Sequence, residues 1–132
     1  DGCEMVFYAI EKAWGGEIFV PKIPSYKISD VATAIAPGLE QKEVGIRPGE
    51  KLHEEMITAS DSYNTVDLGK YYAILPQKSP YSAYCKDDYK KAFNGTDVPN
   101  EFSYNSGNNT EWESIESLRE LVKIHVDPNF KI

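Results

Sequence analysis

The residues best suited to chemistry stand together in Gly45-Ile46-Arg47-Pro48-Gly49-Glu50-Lys51-Leu52-His53-Glu54-Glu55-Met56. Residues 42–46 alternate polar and apolar like a half-buried strand, which would end by presenting Arg47. Pro48-Gly49 then reverses the chain, and residues 51–56 read as a short helix with Leu52 and Met56 on one side. In that arrangement a guanidinium, free backbone N–H groups and the positive end of a helix dipole converge, which suits a phosphate. Arginine's planar fork grips a diphosphate through two parallel hydrogen bonds, a geometry lysine's point charge does not offer. Glu50, three residues on, can accept hydrogen bonds from the paired hydroxyls of a ribose. The same two side chains can equally pair with each other at a surface turn.

Other catalytic patterns are missing. The chain has no glycine-rich phosphate loop of either the Walker or the dinucleotide type, no Gly-x-Ser-x-Gly and no Cys-x-x-Cys. His53-Glu54-Glu55 begins like a zinc-protease helix, but Ile57 stands where the second histidine is required, so no metal site is expected. His53 reads as solvated, and His125 as a residue of a last helical turn, where an imidazole meets terminal carbonyls. Two Asn-x-Thr triplets, at Asn94 and Asn108, match the glycosylation acceptor pattern, which chance supplies often.

The elements that must position these residues follow from periodicity. Residues 3–14 predict a helix with Met5, Val6, Ala9, Ile10 and Ala13 as its buried stripe, ended by Gly15-Gly16. Glu17 to Val20 reads as a buried strand stopped by Pro21 and Pro24. Ser29 offers a cap for a second helix through Ile35, which Pro37-Gly38 stop. Thr65 to Leu68 and Tyr71 to Leu75 form the strands of a hairpin across Gly69-Lys70. From Gln77 to Asn109 the composition shifts to Ser, Tyr, Lys, Asp, Asn and Gly, predicting irregular structure with a further hairpin around Phe102 to Tyr104. Ser114 caps a last helix whose Ile115, Leu118, Leu121 and Val122 face inward. The expected organisation is therefore a helix and strand core over 1–76, an irregular Tyr- and Asn-rich segment over 77–113 and a helix over 114–126.

Composition bounds the function. The 132 residues are 41% hydrophobic, 27% charged and 12% aromatic, enough for one core, and carry a net charge of −7 spread over both halves. That acidity argues against bulk attraction to nucleic acid or an anionic membrane, so an anionic ligand needs a local site. No apolar run approaches a membrane span. Cys3 and Cys85 read as free thiols of a reduced, cytoplasmic protein. The start at Asp1, with no initiator Met and directly inside a helical pattern, reads as the remainder of a longer chain.

Three blocks carry a resemblance. Gly15-Gly-Glu-Ile-Phe-Val-Pro-Lys-Ile-Pro24, then Gly45 to Met56, then Phe102-Ser-Tyr-Asn-Ser106 with Asn108-Asn109 and Glu111-Trp112, look like the C-terminal part of the inverting, NADP-dependent UDP-N-acetylglucosamine 4,6-dehydratases. The resemblance runs in order over nearly the whole chain. It implies an α/β parent, an extended short-chain dehydrogenase/reductase whose N-terminal Rossmann domain holds NADP and supplies the catalytic Asp, Lys and Tyr-x-x-x-Lys. This chain is then expected to hold none of those motifs and to be the smaller, mixed α+β substrate-binding region, inactive alone, with no catalytic residue of its own. The family's chemistry oxidises the sugar at C4, removes water across C5 and C6 and returns hydride at C6 with inversion at C5, in bacterial routes to pseudaminic acid for flagellin glycosylation. By the same resemblance Arg47 contacts the UDP diphosphate, Glu50 faces the uridine ribose and Lys51 supports the turn, while Lys22 and Pro24 are structural. UDP-N-acetylglucosamine is the implied ligand and a homo-oligomer the implied parent. Two alternatives stay open: a capsular dehydratase/5-epimerase, and a non-catalytic assembly module in which the Tyr81 to Asn109 stretch crosses to another subunit.

Overall fold

The computed structural model describes residues 2–77 and 85–131. Residues 78–84, which include the beginning of the Tyr81 to Asn109 stretch expected to cross to another subunit, lie outside the described residues. The chain divides into two compact units, each built from two separate pieces: residues 1–22 with 55–105, and residues 23–54 with 106–132. This interleaved division differs from the three consecutive segments expected from composition.

In the first unit α1 (Gly2–Lys12) leads into β1 (Ile18–Pro21). After the return of the chain come β2 (Glu55–Ile57), a 3-10 turn (Asp61–Asn64), β3 (Thr65–Asp67), β4 (Tyr71–Ile74), α3 (Lys86–Phe93), β5 (Thr96–Asp97) and β6 (Tyr104–Asn105). Strands β1, β4, β3 and β5 form one antiparallel sheet in that order, and β2 pairs with β6 in a second. The expected hairpin is β3–β4. Asp67 Oδ1 accepts the Gly69 N–H at 2.7 Å, and Gly69 takes φ +82°, the left-handed entry that a two-residue loop matching the sheet twist requires.

Val66, Ala73, Leu75 and Tyr89 make the core, with Phe19, Leu68 and Phe93 against it. Tyr89 is fully buried, stacks on Phe93 at 4.4 Å between centroids, and meets the edge of Trp14 at 5.2 Å. Its hydroxyl lies 3.4 Å from Glu17 Oε1, and the Glu17 carboxylate also takes the N–H groups of Trp14 and Gly15 at 2.6 and 2.7 Å. One carboxylate thus ties the exit of α1 to α3. Gly95 follows the helix because a Cβ there would stand 2.5 Å from Val66 Cγ1.

Several expectations are corrected. The segment from Gln77 to Asn109 is not wholly irregular: it holds α3, whose only apolar anchors are Tyr89 and Phe93, one helical turn apart. In α1 the stripe is turned. Val6 and Ile10 are exposed, while Met5, Tyr8 and Ala9 are half-buried, because the Tyr8 ring packs on Phe19 and Tyr71 at 5.4 and 4.9 Å. Residues 51–56 form no helix. Leu52 is exposed, and pairing of β2 with β6 instead buries Ile57 completely, a tertiary demand that outweighs a weak local period. Residues 42–46 form no strand, since Gly45 at φ +81° breaks the extended run and every residue there is exposed.

In the second unit α2 (Ile28–Ile35) packs on α4 (Ile115–His125), burying Ala34 and Leu118, and Arg119 Nε donates to the Ala34 carbonyl at 3.3 Å. Helix α2 starts at Ile28 with Lys27 at its cap, so Ser29 does not cap it. Ser114 does cap α4, exchanging bonds with Ser117 in a reciprocal box. His125 sits in the last turn, as its position implied.

Urea unfolding tests this core. Tyr89→Ala should lose about 3–5 kcal/mol, by analogy with other large-to-small aromatic truncations. Tyr89→Phe, which gives up the hydroxyl contact with Glu17 and keeps the ring, should lose about 1 kcal/mol. Ile10→Glu on the outer face of α1 should change stability by less than about 0.5 kcal/mol. A pH effect attaches to Asp97, whose carboxyl is held below its usual range by hydrogen bonds from Lys90 and Lys86, at 2.6 and 2.9 Å. A depressed acid stabilises the fold above its unfolded pKa, near 3.8, and loses that contribution as pH falls through the lower folded value. Asp97→Asn should therefore flatten the acid limb of a stability–pH curve.

Candidate functional site

The Arg47 segment is a turn in an exposed loop. The Glu50 N–H donates to the Arg47 carbonyl at 3.0 Å, Pro48 occupies the second position and Gly49 the third at φ +88°, which is a type II turn. Proline presets the second position and only glycine enters the third without strain, so the dipeptide dictates the geometry. The Glu50 carboxylate closes the turn from the side-chain direction. Its Oε2 accepts the Arg47 N–H at 2.9 Å, and its Oε1 faces Arg47 Nε at 3.5 Å.

Both readings of these residues left open by the sequence bear on this geometry. Arg47 and Glu50 do pair with each other, yet the Arg47 side chain is 82% exposed and the contact reaches only its Nε. Ile46, Gly49, Glu50, Lys51 and Glu54 line an open cavity of about 500 Å³ beside it. No helix begins at residues 50–56, so the helix-dipole contribution expected there is withdrawn. What can meet an anion is the guanidinium, assisted by Lys51 on the cavity wall; Glu50 and Glu54 set an acidic edge suited to hydroxyl donors.

The remaining residues singled out lie elsewhere. Lys22 Nζ pairs with Asp67 Oδ1 at 2.7 Å and stands 4.4 Å over the Tyr72 ring, an arrangement that spends its charge inside the first unit. Burial pushes the Tyr72 phenol above its ordinary pKa, with the Lys22 charge opposing. Pro24 is half-buried, next to Ser25, whose backbone bonds Glu111 and Glu113 at 2.9 and 2.8 Å. His53 Nδ1 is 3.3 Å from Ser106 Oγ, so this imidazole is engaged by a neighbour rather than merely solvated. Cys3 and Cys85 are free thiols.

Tyr8-Ala-Ile-Glu-Lys12 does have the Tyr-x-x-x-Lys spacing, which corrects the expectation that the chain lacks it. On α1 it behaves as a packing pair. The Tyr8 ring lies against Phe19 and Tyr71, and Lys12 Nζ is 2.9 Å from Glu11. Burial raises the Tyr8 pKa, the reverse of the shift that would populate its phenolate near neutral pH.

Among the described residues no strand runs through a glycine-rich turn into a helix, and the named strands pair antiparallel, so nothing here fits the pyrophosphate of a dinucleotide. No group of three or more His, Cys, Asp or Glu among them is placed to hold a metal ion. No helix among them is long and apolar enough to cross a membrane.

Comparison with known proteins supplies a framework for this turn. The sequence profile described as polysaccharide biosynthesis protein matches residues 1–76. Two UDP-N-acetylglucosamine 4,6-dehydratases (inverting) of Campylobacter jejuni, from serotypes O:2 and O:23/36, are 45% and 43% identical over 92% of this chain. The chain spans 37% of the length of each. A UDP-glucose 4-epimerase of Rickettsia canadensis is 36% identical over 56% of the chain and 23% of its own length. The crystal structure of Pen from Bacillus thuringiensis matches with a TM-score of 0.66 at 25% identity, over 90% of this chain and 34% of that one.

Proposed function

Since this chain belongs to the polysaccharide biosynthesis protein family, we propose that it is the nucleotide-sugar-binding part of a UDP-N-acetylglucosamine 4,6-dehydratase of the inverting kind. The observation that carries this reading is the 45% identity to the Campylobacter jejuni enzyme over 92% of the chain. In this reading the Arg47 guanidinium takes the diphosphate and the Glu50 carboxylate a ribose hydroxyl, while Lys51 supports the turn. In this reading NADP and the catalytic residues belong to the rest of a longer protein, which the 37% share of the relatives' length spanned by this chain supports. The chain alone is then inactive. The full protein works in the cytoplasm as a homo-oligomer and makes a 4-keto-6-deoxy sugar for a surface glycan or for flagellin, along a pseudaminic acid route.

A second reading is favoured by the 36% identity to a UDP-glucose 4-epimerase: the same UDP subsite serving an epimerase, or a combined dehydratase/5-epimerase. Product analysis separates dehydration from epimerisation alone. The full-length protein incubated with UDP-N-acetylglucosamine should release a 4-keto-6-deoxy sugar inverted at C5; a product retaining its 6-hydroxyl identifies an epimerase. For Arg47→Ala in that protein, nucleotide-sugar binding should weaken by about 2–4 kcal/mol, as when one partner of a desolvated charge pair is removed. Unchanged KM and unchanged inhibition by UDP would overturn the site. Tight NADP binding by the 132-residue chain in calorimetry would overturn the division of labour.

A further inference from the structure

Resting on the nucleotide-sugar reading of the Arg47 turn, we infer that His53, Ser106 and Gly107 form a clasp that sets the position of that turn, making His53 and Gly107 positioning residues for the ligand. Residues 41–55 are exposed and residues 41–54 carry no helix or strand, so the loop depends on a few anchors to hold Arg47 in one place. Upstream, the Gln41 amide donates to the Ser29 carbonyl at 3.3 Å and to Thr33 Oγ1 at 2.9 Å. Downstream the attachment is denser. The Glu54 N–H donates to Ser106 Oγ at 3.2 Å, the Ser106 N–H to the Glu54 carbonyl at 2.9 Å, and Ser106 Oγ lies 3.3 Å from His53 Nδ1. Only Lys51 and Leu52 separate Glu50 from this clasp.

Gly107 is the informative member. Its φ lies outside the left-handed region, so conformation alone does not call for glycine. Space does. A Cβ would stand 2.9 Å from both Cγ and Cδ2 of the His53 ring and 3.0 Å from Nε2, so the imidazole lies flat on the backbone. Cγ is the inner end of the ring, which a small torsion of the tip does not move away. The strap that carries Ser106 and Gly107 is itself tied down. Asn109 Nδ2 donates to the Ile23 carbonyl at 2.8 Å and to Ser25 Oγ at 3.0 Å, and Trp112 Nε1 donates to the Asn109 carbonyl at 2.8 Å. The clasp therefore passes the fixed position of the 106–113 segment to an otherwise loose loop.

The test uses the full-length protein, with UDP-N-acetylglucosamine kinetics, UDP inhibition and thermal unfolding measured for Gly107→Ala, His53→Ala, His53→Asn and the Gly107→Ala/His53→Ala double variant, beside Arg47→Ala. Gly107→Ala and His53→Ala should each raise KM and the UDP inhibition constant about three- to tenfold, with kcat and the unfolding temperature changed far less. The double variant should be no worse than His53→Ala, since removing the ring removes the clash. His53→Asn, which keeps a hydrogen-bonding group near the Nδ1 position, should recover part of the loss. If Arg47→Ala raises KM while both clasp variants leave it unchanged, the clasp is overturned and the turn stands. Additive losses in the double variant, or unfolding temperatures that fall in step with KM, also overturn it. An unchanged KM in Arg47→Ala overturns the reading of the turn, and the clasp with it.

Discussion

The Glu50 carboxylate is the constraint on which the candidate site depends. One oxygen takes the Arg47 N–H and fastens the type II turn, and the other faces the guanidinium at longer range. These two contacts differ in what they ask of the arginine. The backbone bond does not involve the side chain, so the turn keeps its closure when the guanidinium turns to another anion. Exposed ion pairs are typically worth less than about 1 kcal/mol, whereas a two-pronged, charge-assisted grip on phosphate is stronger. A diphosphate can take the guanidinium while the carboxylate goes on holding the loop. Pro48 and Gly49 make this possible by fixing the turn through their own backbone preferences.

A chain of net charge −7 presents such an anion with an unfavourable field at long range, and the local arrangement of cations decides the outcome at short range. Other lysines are engaged elsewhere: Lys22 with Asp67, Lys70 with Glu4, Lys86 and Lys90 with Asp97, Lys123 with Glu120. Each stabilises or decorates its own element. Arg47, by contrast, is largely exposed on a turn with a cavity beside it. The placement of Glu50 and Glu54 on that cavity's wall discourages further anionic groups there and favours a ligand that carries hydroxyl donors next to its charge.

What the sequence disclosed follows the range of the forces involved. The β3–β4 hairpin and the cap of α4 are written in neighbouring residues, in Gly69-Lys70 and in Ser114 with Ser117, and both were legible. The Arg47 turn was legible for the same reason, through Pro48-Gly49. Helix α3 was hidden because Lys86-Asp-Asp-Tyr-Lys-Lys-Ala-Phe93 holds two aromatic anchors in a polar segment. Its acidic first turn, basic last turn and Asn94-Gly95 ending were the available signal. Strand β2 was misread because its partner β6 lies nearly fifty residues away, and only that pairing buries Ile57. In α1 the apolar residues lie on both faces, and the choice between them is made by Phe19 and Tyr71, which no local period contains. The His53 seat was invisible for a like reason: a glycine that admits a ring looks, in sequence, like any other glycine.

The relatives include enzymes named for two different reactions, and a nucleotide subsite of the kind proposed for the Arg47 turn is compatible with both. A grip on the diphosphate and ribose is made alike in the ground state and the transition state, because those groups take no part in bond changes at the sugar. Such uniform binding lowers KM and leaves the chemical step untouched. A subsite of this kind is free to persist while the reacting groups around the hexose change. Under the proposed reading, the Arg47 turn and the clasp behind it bear on how firmly a nucleotide is held. In such an enzyme the choice between loss of water and simple epimerisation is made by groups that touch C4, C5 and C6, which an arginine on the diphosphate would not reach.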